Sequence, residues 1–424
     1  MLSPEKTMSP DEVLSALNNL RRDDVRWRDG KAFSLTYLAS PEASSLVEKA
    51  YAMFAGENAL NTNAFPSLRT MQDEVLKFIG PLLGAPNDVA GFMTSGGTES
   101  LLMVVYGARQ RARALAGFGP DGVGSPRYNI VLPTSAHAAL EKACRYFDVE
   151  SRRVQVGVDW RVDADDMARA IDDHTILVVC SAPQYPQGVV DPVETIARIA
   201  EERGIPCHVD ACMGGMLLPF LAPKNMVWNF QAPGVTSISV DLHKYGYSAK
   251  GAGVIMYRTK ELRNHQSFIT DNWLGGFYGS SGVLGTKSGG PIAAAWALTK
   301  YFGVGGYEDL AHTARRATLE MHSYIAEIPD LMVRAFPDTS LLCIGSVDEE
   351  RVPIFGVADA LATRGWYVDR QQPPSSLHLT INAIHAPLLK EFASDLQQCV
   401  AQVRDLSSAS RATTSGPGTY GTIE

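Results

Sequence analysis

Five short apolar runs rich in branched residues, at 129–132, 175–180, 206–209, 235–240 and 253–257, constrain this chain more than any other feature. Each is continuously hydrophobic rather than alternating, as a strand is when both faces of its sheet are covered. Mostly amphipathic helical stretches lie between them. The alternation predicts an α/β fold, a mainly parallel sheet flanked by helices, with any site at the carboxyl ends of the strands.

The flanks differ. Residues 9–60 read as an amino-terminal arm, with helices over 10–22 and 40–54 and a loop around Gly30. From Leu68 the residues Met71, Val75, Ile79 and Leu82 recur at helical spacing until Gly84 and Pro86 stop the helix. Beyond Trp296 a helix over 311–328, a strand at 341–344, a helix over 354–364, a strand at 377–381 and a last helix to about 406 suggest a smaller α+β domain. The expected division is therefore an arm (1–60), a large domain (61–295), a small domain (296–406) and a Ser/Thr/Gly-rich tail (407–424) too poor in apolar residues to order itself.

Charge and cysteine usage narrow the function. A net charge of −8 argues against nucleic acid or anionic lipid as partner. The six cysteines are scattered and the nine histidines show no helical ligand pair, so no metal is expected and a reduced, cytoplasmic setting fits. Met1-Leu-Ser-Pro-Glu-Lys6 lacks the apolar core of a signal peptide, and no run is long and apolar enough for stable membrane insertion. Gly117, Gly119 and Gly122 have dinucleotide-motif spacing, but they follow a helix instead of opening one after a strand.

Four motifs carry candidate chemistry. The run ending at Val240 leads into Asp241-Leu-His243-Lys244, placing Lys244 at the top of a sheet, where loss of solvent lowers an amine's pKa and favours imine formation. Upstream, Thr94-Ser-Gly96-Gly97-Thr98 precedes a helix, and its open N–H groups, hydroxyl and positive helix end form a cup for one phosphate. His208-Val-Asp210 ends a strand in a carboxylate suited to keeping a heteroaromatic nitrogen protonated. Ser135-Ala-His137 begins a helix, where an imidazole can stack on a planar cofactor. Singly, these read equally well as a loop cap, a turn, a strand-end cap and a helix cap. In this order they resemble the pyridoxal-phosphate (PLP) enzymes of fold type I.

The chain resembles the sphingosine-1-phosphate lyases, PLP-dependent aldehyde-lyases of the group II decarboxylase superfamily, over roughly residues 30–400. The likeness is carried by Thr94-Ser-Gly-Gly-Thr-Glu-Ser100, Ser135-Ala-His-Ala-Ala139, Cys180-Ser-Ala-Pro-Gln184, His208-Val-Asp-Ala-Cys-Met-Gly-Gly215 and His243-Lys-Tyr-Gly-Tyr247 followed by Lys250. It implies a seven-stranded sheet, with Lys244 holding the cofactor as a Schiff base, Asp210 on its ring nitrogen, His137 stacked on the ring, and Gly97, Thr98 and His243 on its phosphate. It further implies a homodimer with shared active sites, in which Thr286 reaches the neighbouring subunit's cofactor phosphate. Tyr37, Asn58, Asn61 and Lys250 fall at positions that meet the phosphorylated amino alcohol substrate. Asn61 stands where the family has His, and Lys287 and Ser288 where it has Arg and Pro, so the grip on the substrate is the expected point of divergence. Two other readings stay open on sequence: a PLP-dependent amino-acid decarboxylase, and a fold retained without catalysis.

Overall fold

The computed structural model describes residues 7–409. Its central sheet holds seven strands: β1 (Ala90–Thr94), β2 (Asn129–Pro133), β3 (Glu150–Val154), β4 (Thr175–Ser181), β5 (Cys207–Asp210), β6 (Val235–Asp241) and β7 (Gly253–Tyr257). Their spatial order is β1-β7-β6-β5-β4-β2-β3, and β7 alone runs against its neighbours. The expected mainly parallel, helix-flanked sheet is what forms. Two strands escaped the sequence reading. β1 is only partly buried at its start, and β3 is a polar edge strand carrying Glu150, Arg152 and Arg153.

Nine helices precede or join these strands: α1 (Pro10–Leu20), α2 (Pro41–Met53), α3 (Pro66–Leu82), α4 (Gly97–Leu115), α5 (Ala139–Phe147), α6 (Ala164–Ala170), α7 (Val193–Glu202), α8 (Leu218–Leu221) and α9 (Lys260–Asn264). Each sheet face has its own core. Val75 and Ile79 of α3 pack with Val178, Val209 and Val240 on one side, while Leu101 and Val105 of α4 pack with Leu132, Leu140 and Ile255 on the other. Each such side chain, fully buried, contributes about 1.5–3 kcal/mol before entropy is counted.

A hairpin, β8 (Phe268–Thr270) and β9 (Tyr278–Ser280), leads to α10 (Gly290–Ala326). The sequence reading expected only the second part, over 311–328; the helix starts at Gly290 and breaks at Gly303, whose φ of 56° only glycine adopts without strain. The second sheet, order β10-β11-β13-β12, is antiparallel and comprises β10 (Leu331–Val333), β11 (Leu341–Ser346), β12 (Asp369–Gln371) and β13 (Ser376–Thr380). It packs with α11 (Ile354–Thr363) and α12 (Leu389–Ala409) around Leu342, Leu361, Leu377 and Phe392. Phe33 of the amino-terminal arm belongs to this core, its ring 4.2 Å from that of His385 and 4.4 Å from that of Phe392. Of the tail expected over 407–424, the first three residues belong to α12, which continues to Ala409, and positions 410–424 lie outside the described residues. Among the described residues no helix is long and apolar enough to cross a membrane.

Candidate active site

The period-2 alternation of strands puts Ser237, Ser239 and Asp241 of β6 on one sheet face beside His208 and Asp210 of β5, with His208 paired to Ser237 and Asp210 to Ser239 in the ladder. Past β6 the chain turns tightly: Lys244 N donates to Asp241 O and Tyr247 N to Lys244 O. The turn lifts Lys244 over the strand end, where Nζ pairs with Asp241 Oδ2 at 3.0 Å. His243 Nε2 lies 3.7 Å from the same oxygen.

From the other direction, β1 delivers the chain to Gly96, whose φ of 135° is open to glycine alone, and α4 starts at the next residue. Its first turn therefore points unshared N–H groups at the Lys244 turn. Glu99 braces this loop by accepting from Ser95 N at 2.6 Å and from Val283 N at 2.7 Å. His137 stands just before α5 and accepts from Ala139 N through Nδ1 at 3.1 Å, so it caps the helix and faces the site at once.

Gly97, Thr98, His137, Asp210, His243 and Lys244 all line one cavity of about 190 Å³. Tyr37 and Lys250 stand behind its wall. Tyr37 Oη contacts Met213 Sδ at 3.8 Å, Lys250 Nζ donates to the carbonyl of His243 at 3.4 Å, and the ammonium sits 5.0 Å from the Tyr37 ring centre. Asn58, Asn61 and Thr286 are elsewhere. Asn58 Nδ2 donates to Thr286 Oγ1 at 3.3 Å, and the exposed Asn61 uses Oδ1 to cap its own turn at Asn63 N.

Among the wall residues to which the sequence reading gave no role are Asp241, Cys212, Tyr185 and Glu99. Asp241 was legible in principle, since it continues the alternation of Ser237 and Ser239 and precedes Lys244 by one turn. Tyr185 was not, because its place depends on the second sheet: Oη donates to Asp369 Oδ2 at 2.8 Å and its ring stacks on His378.

Burial would raise the Asp241 carboxyl, but the charges of Lys244 and His243 outweigh it and hold it below its ordinary value. Burial pushes His137 down against the opposing pull of Asp210, so its ring is neutral at neutral pH. Lys250 is pushed down to about 8, by surrounding protein first and by Lys244 second. The cavity thus joins an amine with a counter-ion, a flat neutral imidazole, a second carboxylate and a helix start: a set able to hold a planar, phosphorylated aldehyde.

The chain matches the pyridoxal-dependent decarboxylase conserved domain over residues 4–344. It is 36% identical over 406 residues to sphingosine-1-phosphate lyase 1 of Rattus norvegicus, covering 94% of this chain and 70% of that protein. With the Saccharomyces cerevisiae sphingosine-1-phosphate lyase it shares 32% identity over 427 residues, 99% of this chain and 71% of the other. Among solved structures, the sphingosine-1-phosphate lyase of Burkholderia pseudomallei superposes with a TM-score of 0.87 at 33% identity, covering 96% of this chain and 94% of that one. Glutamate decarboxylase of Lactobacillus brevis, at 21% identity and a TM-score of 0.83, shares the fold. With cavity, sheet and sequence in agreement, the chain belongs to the pyridoxal-dependent decarboxylase family and, within it, to the sphingosine-1-phosphate lyases.

Proposed function

We propose that this chain is a PLP-dependent aldehyde-lyase that cleaves the C2–C3 bond of a phosphorylated sphingoid base to a long-chain aldehyde and ethanolamine phosphate. One observation carries the reading: a lysine at a strand end shares its cavity with a carboxylate, a half-buried histidine and the start of a helix, in a chain of this family.

The residues fit PLP. A Cβ at Gly96 would lie 2.6 Å from His243 Cε1 and one at Gly97 2.9 Å from Asp241 Oδ2, so both glycines keep open a cradle that side chains would fill. The buried His243 Nδ1 and Asp241 Oδ1 have no hydrogen-bond partner among the described residues. When bound, PLP supplies an electron sink for the pair released from the C2–C3 bond. Lys244 Nζ would be the amine that links to it, its ammonium being held by Asp241 Oδ2. Asp210 would keep the ring nitrogen protonated, His137 would stack on the ring, and Gly97, Thr98 and His243 would hold the phosphate.

Tyr37 and Lys250 clamp the substrate phosphate, a charge-assisted bond of that kind contributing about 1.5–3 kcal/mol. Asn58, Asn61 and Thr286 lie outside this chain's own cavity; the family likeness is what supports a homodimer in which Thr286 reaches the neighbouring subunit's cofactor phosphate and Asn58 and Asn61 meet the substrate. The same reading keeps an arm (1–60), a PLP-binding domain (61–295) and a small domain (296–406), and places the protein in the cytoplasm, where its six buried free cysteines would stay reduced.

The test is aldehyde release from a phosphorylated sphingoid base, set against carbon dioxide release from a panel of amino acids. Aldehyde is expected, and carbon dioxide alone would replace the lyase by a decarboxylase. Lys244→Ala should abolish turnover and the borohydride-reducible adduct at that position; full activity in this variant would end the assignment of Lys244.

A further inference from the structure

Beneath Asp210 runs a buried polar chain that the proposed reaction does not use. His208, with no exposed surface, lies between two serines of the neighbouring strand: Nδ1 is 2.9 Å from Ser237 Oγ and Nε2 is 3.1 Å from Ser239 Oγ. Ser239 Oγ donates to Asp210 Oδ1 at 3.4 Å and accepts from Cys212 Sγ at 3.4 Å. The same Oδ1 accepts from Cys212 N at 3.1 Å.

Proton counting orders the chain. A serine has one hydroxyl proton. Ser239 gives its own to the carboxylate, so His208 must donate to Ser239 through Nε2–H, and Nδ1 must then accept the Ser237 hydroxyl. Of the two neutral tautomers only that one satisfies every contact, and burial favours the neutral ring by pushing its pKa down to about 4 against the pull of Asp210. Ser237, His208 and Ser239 thus form a one-way file of donors aimed at Asp210 Oδ1, in a low-dielectric setting where successive hydrogen bonds strengthen one another. Apolar residues would pack β5 against β6 without this file, as Val209 and Ile238 do on the opposite face.

We propose that His208 is a positioning residue which, through Ser239, locks the Asp210 carboxylate by Oδ1 and reserves Oδ2 for the cofactor's ring nitrogen. This rests on the assignment of Asp210 to that nitrogen. Removal of His208 frees the Ser239 hydroxyl to rotate, and the carboxylate loses that fixed donor, leaving Cys212 N alone on Oδ1.

The experiment titrates PLP into protein carrying His208→Leu, His208→Gln, Ser239→Ala or Asp210→Asn, following the visible absorbance band and the apparent dissociation constant, with circular dichroism as the check on folding. His208→Leu and Ser239→Ala should each weaken PLP binding about tenfold, the size of one lost hydrogen bond to a charged group, and shift the visible band in the same direction as Asp210→Asn. His208→Gln, whose Nε2 can still donate to Ser239, should recover most of both. A merely structural histidine would leave the band in place. Should His208→Leu fail to fold, Ser239→Ala, which removes one oxygen atom, decides alone. If Asp210→Asn moves the band while Ser239→Ala does not, the relay is overturned and the Asp210 assignment stands. If Asp210→Asn also leaves band and affinity unchanged, the assignment of Asp210 itself falls.

Discussion

Lys244 Nζ lies 3.0 Å from Asp241 Oδ2, an ion pair closed within one turn of chain at the end of β6. Its carboxylate is 2% exposed and the ammonium 15%, so little water is available to replace either partner. Breaking such a pair on one side costs about 3–5 kcal/mol, because a buried charge is left alone. Asp241→Asn, which keeps the shape and removes the charge, should therefore lower thermal stability and slow turnover at least tenfold. The sign with pH follows from the depressed carboxyl: its contribution is complete above the ordinary value of 3.8 and is lost as the pH falls through the lower folded value. Melting curves of the two proteins should stay separated from pH 8 to 5 and converge in stronger acid; a constant gap into strong acid would show that the charge is not the cause.

Lys250 sets a second pH dependence, this one on binding. Its ammonium is pushed down to about 8 from an ordinary 10.5, although the side chain keeps some solvent exposure, and solvent moderates the effect. As the charge disappears around pH 8 the attraction for a substrate phosphate goes with it, so KM should rise several-fold above about pH 8 while kcat changes less. Lys250→Arg stays protonated throughout and should flatten the KM profile. A profile unchanged by that substitution would exclude Lys250 from the phosphate clamp.

Gly96 tests the cradle. Its φ of 135° and the 2.6 Å approach of a built Cβ to His243 Cε1 mean that alanine there strains the backbone and displaces the histidine together. Gly96→Ala should weaken PLP binding by an order of magnitude or more, measured by absorbance titration, with a smaller loss in melting temperature. Gly119, around which a Cβ meets nothing within 4 Å, is the control and should tolerate alanine.

How much of this was legible depends on the range of the interactions involved. Strands β2, β4, β5, β6 and β7 announced themselves because both faces are covered, and Lys244, Asp210, His137 and Gly97 because each sits where a strand ends or a helix begins. β3 was hidden by Arg152 and Arg153, which suit an edge. The first half of α10 is set off from the second by Gly303, where the backbone leaves the helical region, and only the second half was expected. The file from Ser237 to Asp210 emerges only once the register of β5 against β6 is fixed, and Tyr185 only once Asp369 and His378 arrive from the second sheet. Local signals thus located the chemistry, and long-range pairing supplied the groups that hold it.

Buried titrating groups predict how the whole fold answers acid. His208, His378 and His385 are each pushed down to about 4 by burial, from an ordinary 6.5. Between those limits the unfolded chain takes up three protons that the folded chain refuses, so stability is complete above pH 6.5 and falls towards pH 4. Asp191 works the other way. Burial raises it to about 7 from 3.8, so the folded chain binds a proton there that the unfolded chain does not. For these four groups three against one leaves a difference of two protons, or about 3 kcal/mol lost per pH unit in the middle of the range, and His137 and His243, also pushed down by burial, act in the same direction as the three. Denaturant melts should show stability declining from pH 6.5 to 5 with that order of slope. Asp191→Asn removes the opposing group and should steepen the decline, whereas His378→Gln, which removes one of the three and can still reach Thr380 Oγ1, should make it shallower; the reverse ranking of the two slopes would show that other groups govern the acid response.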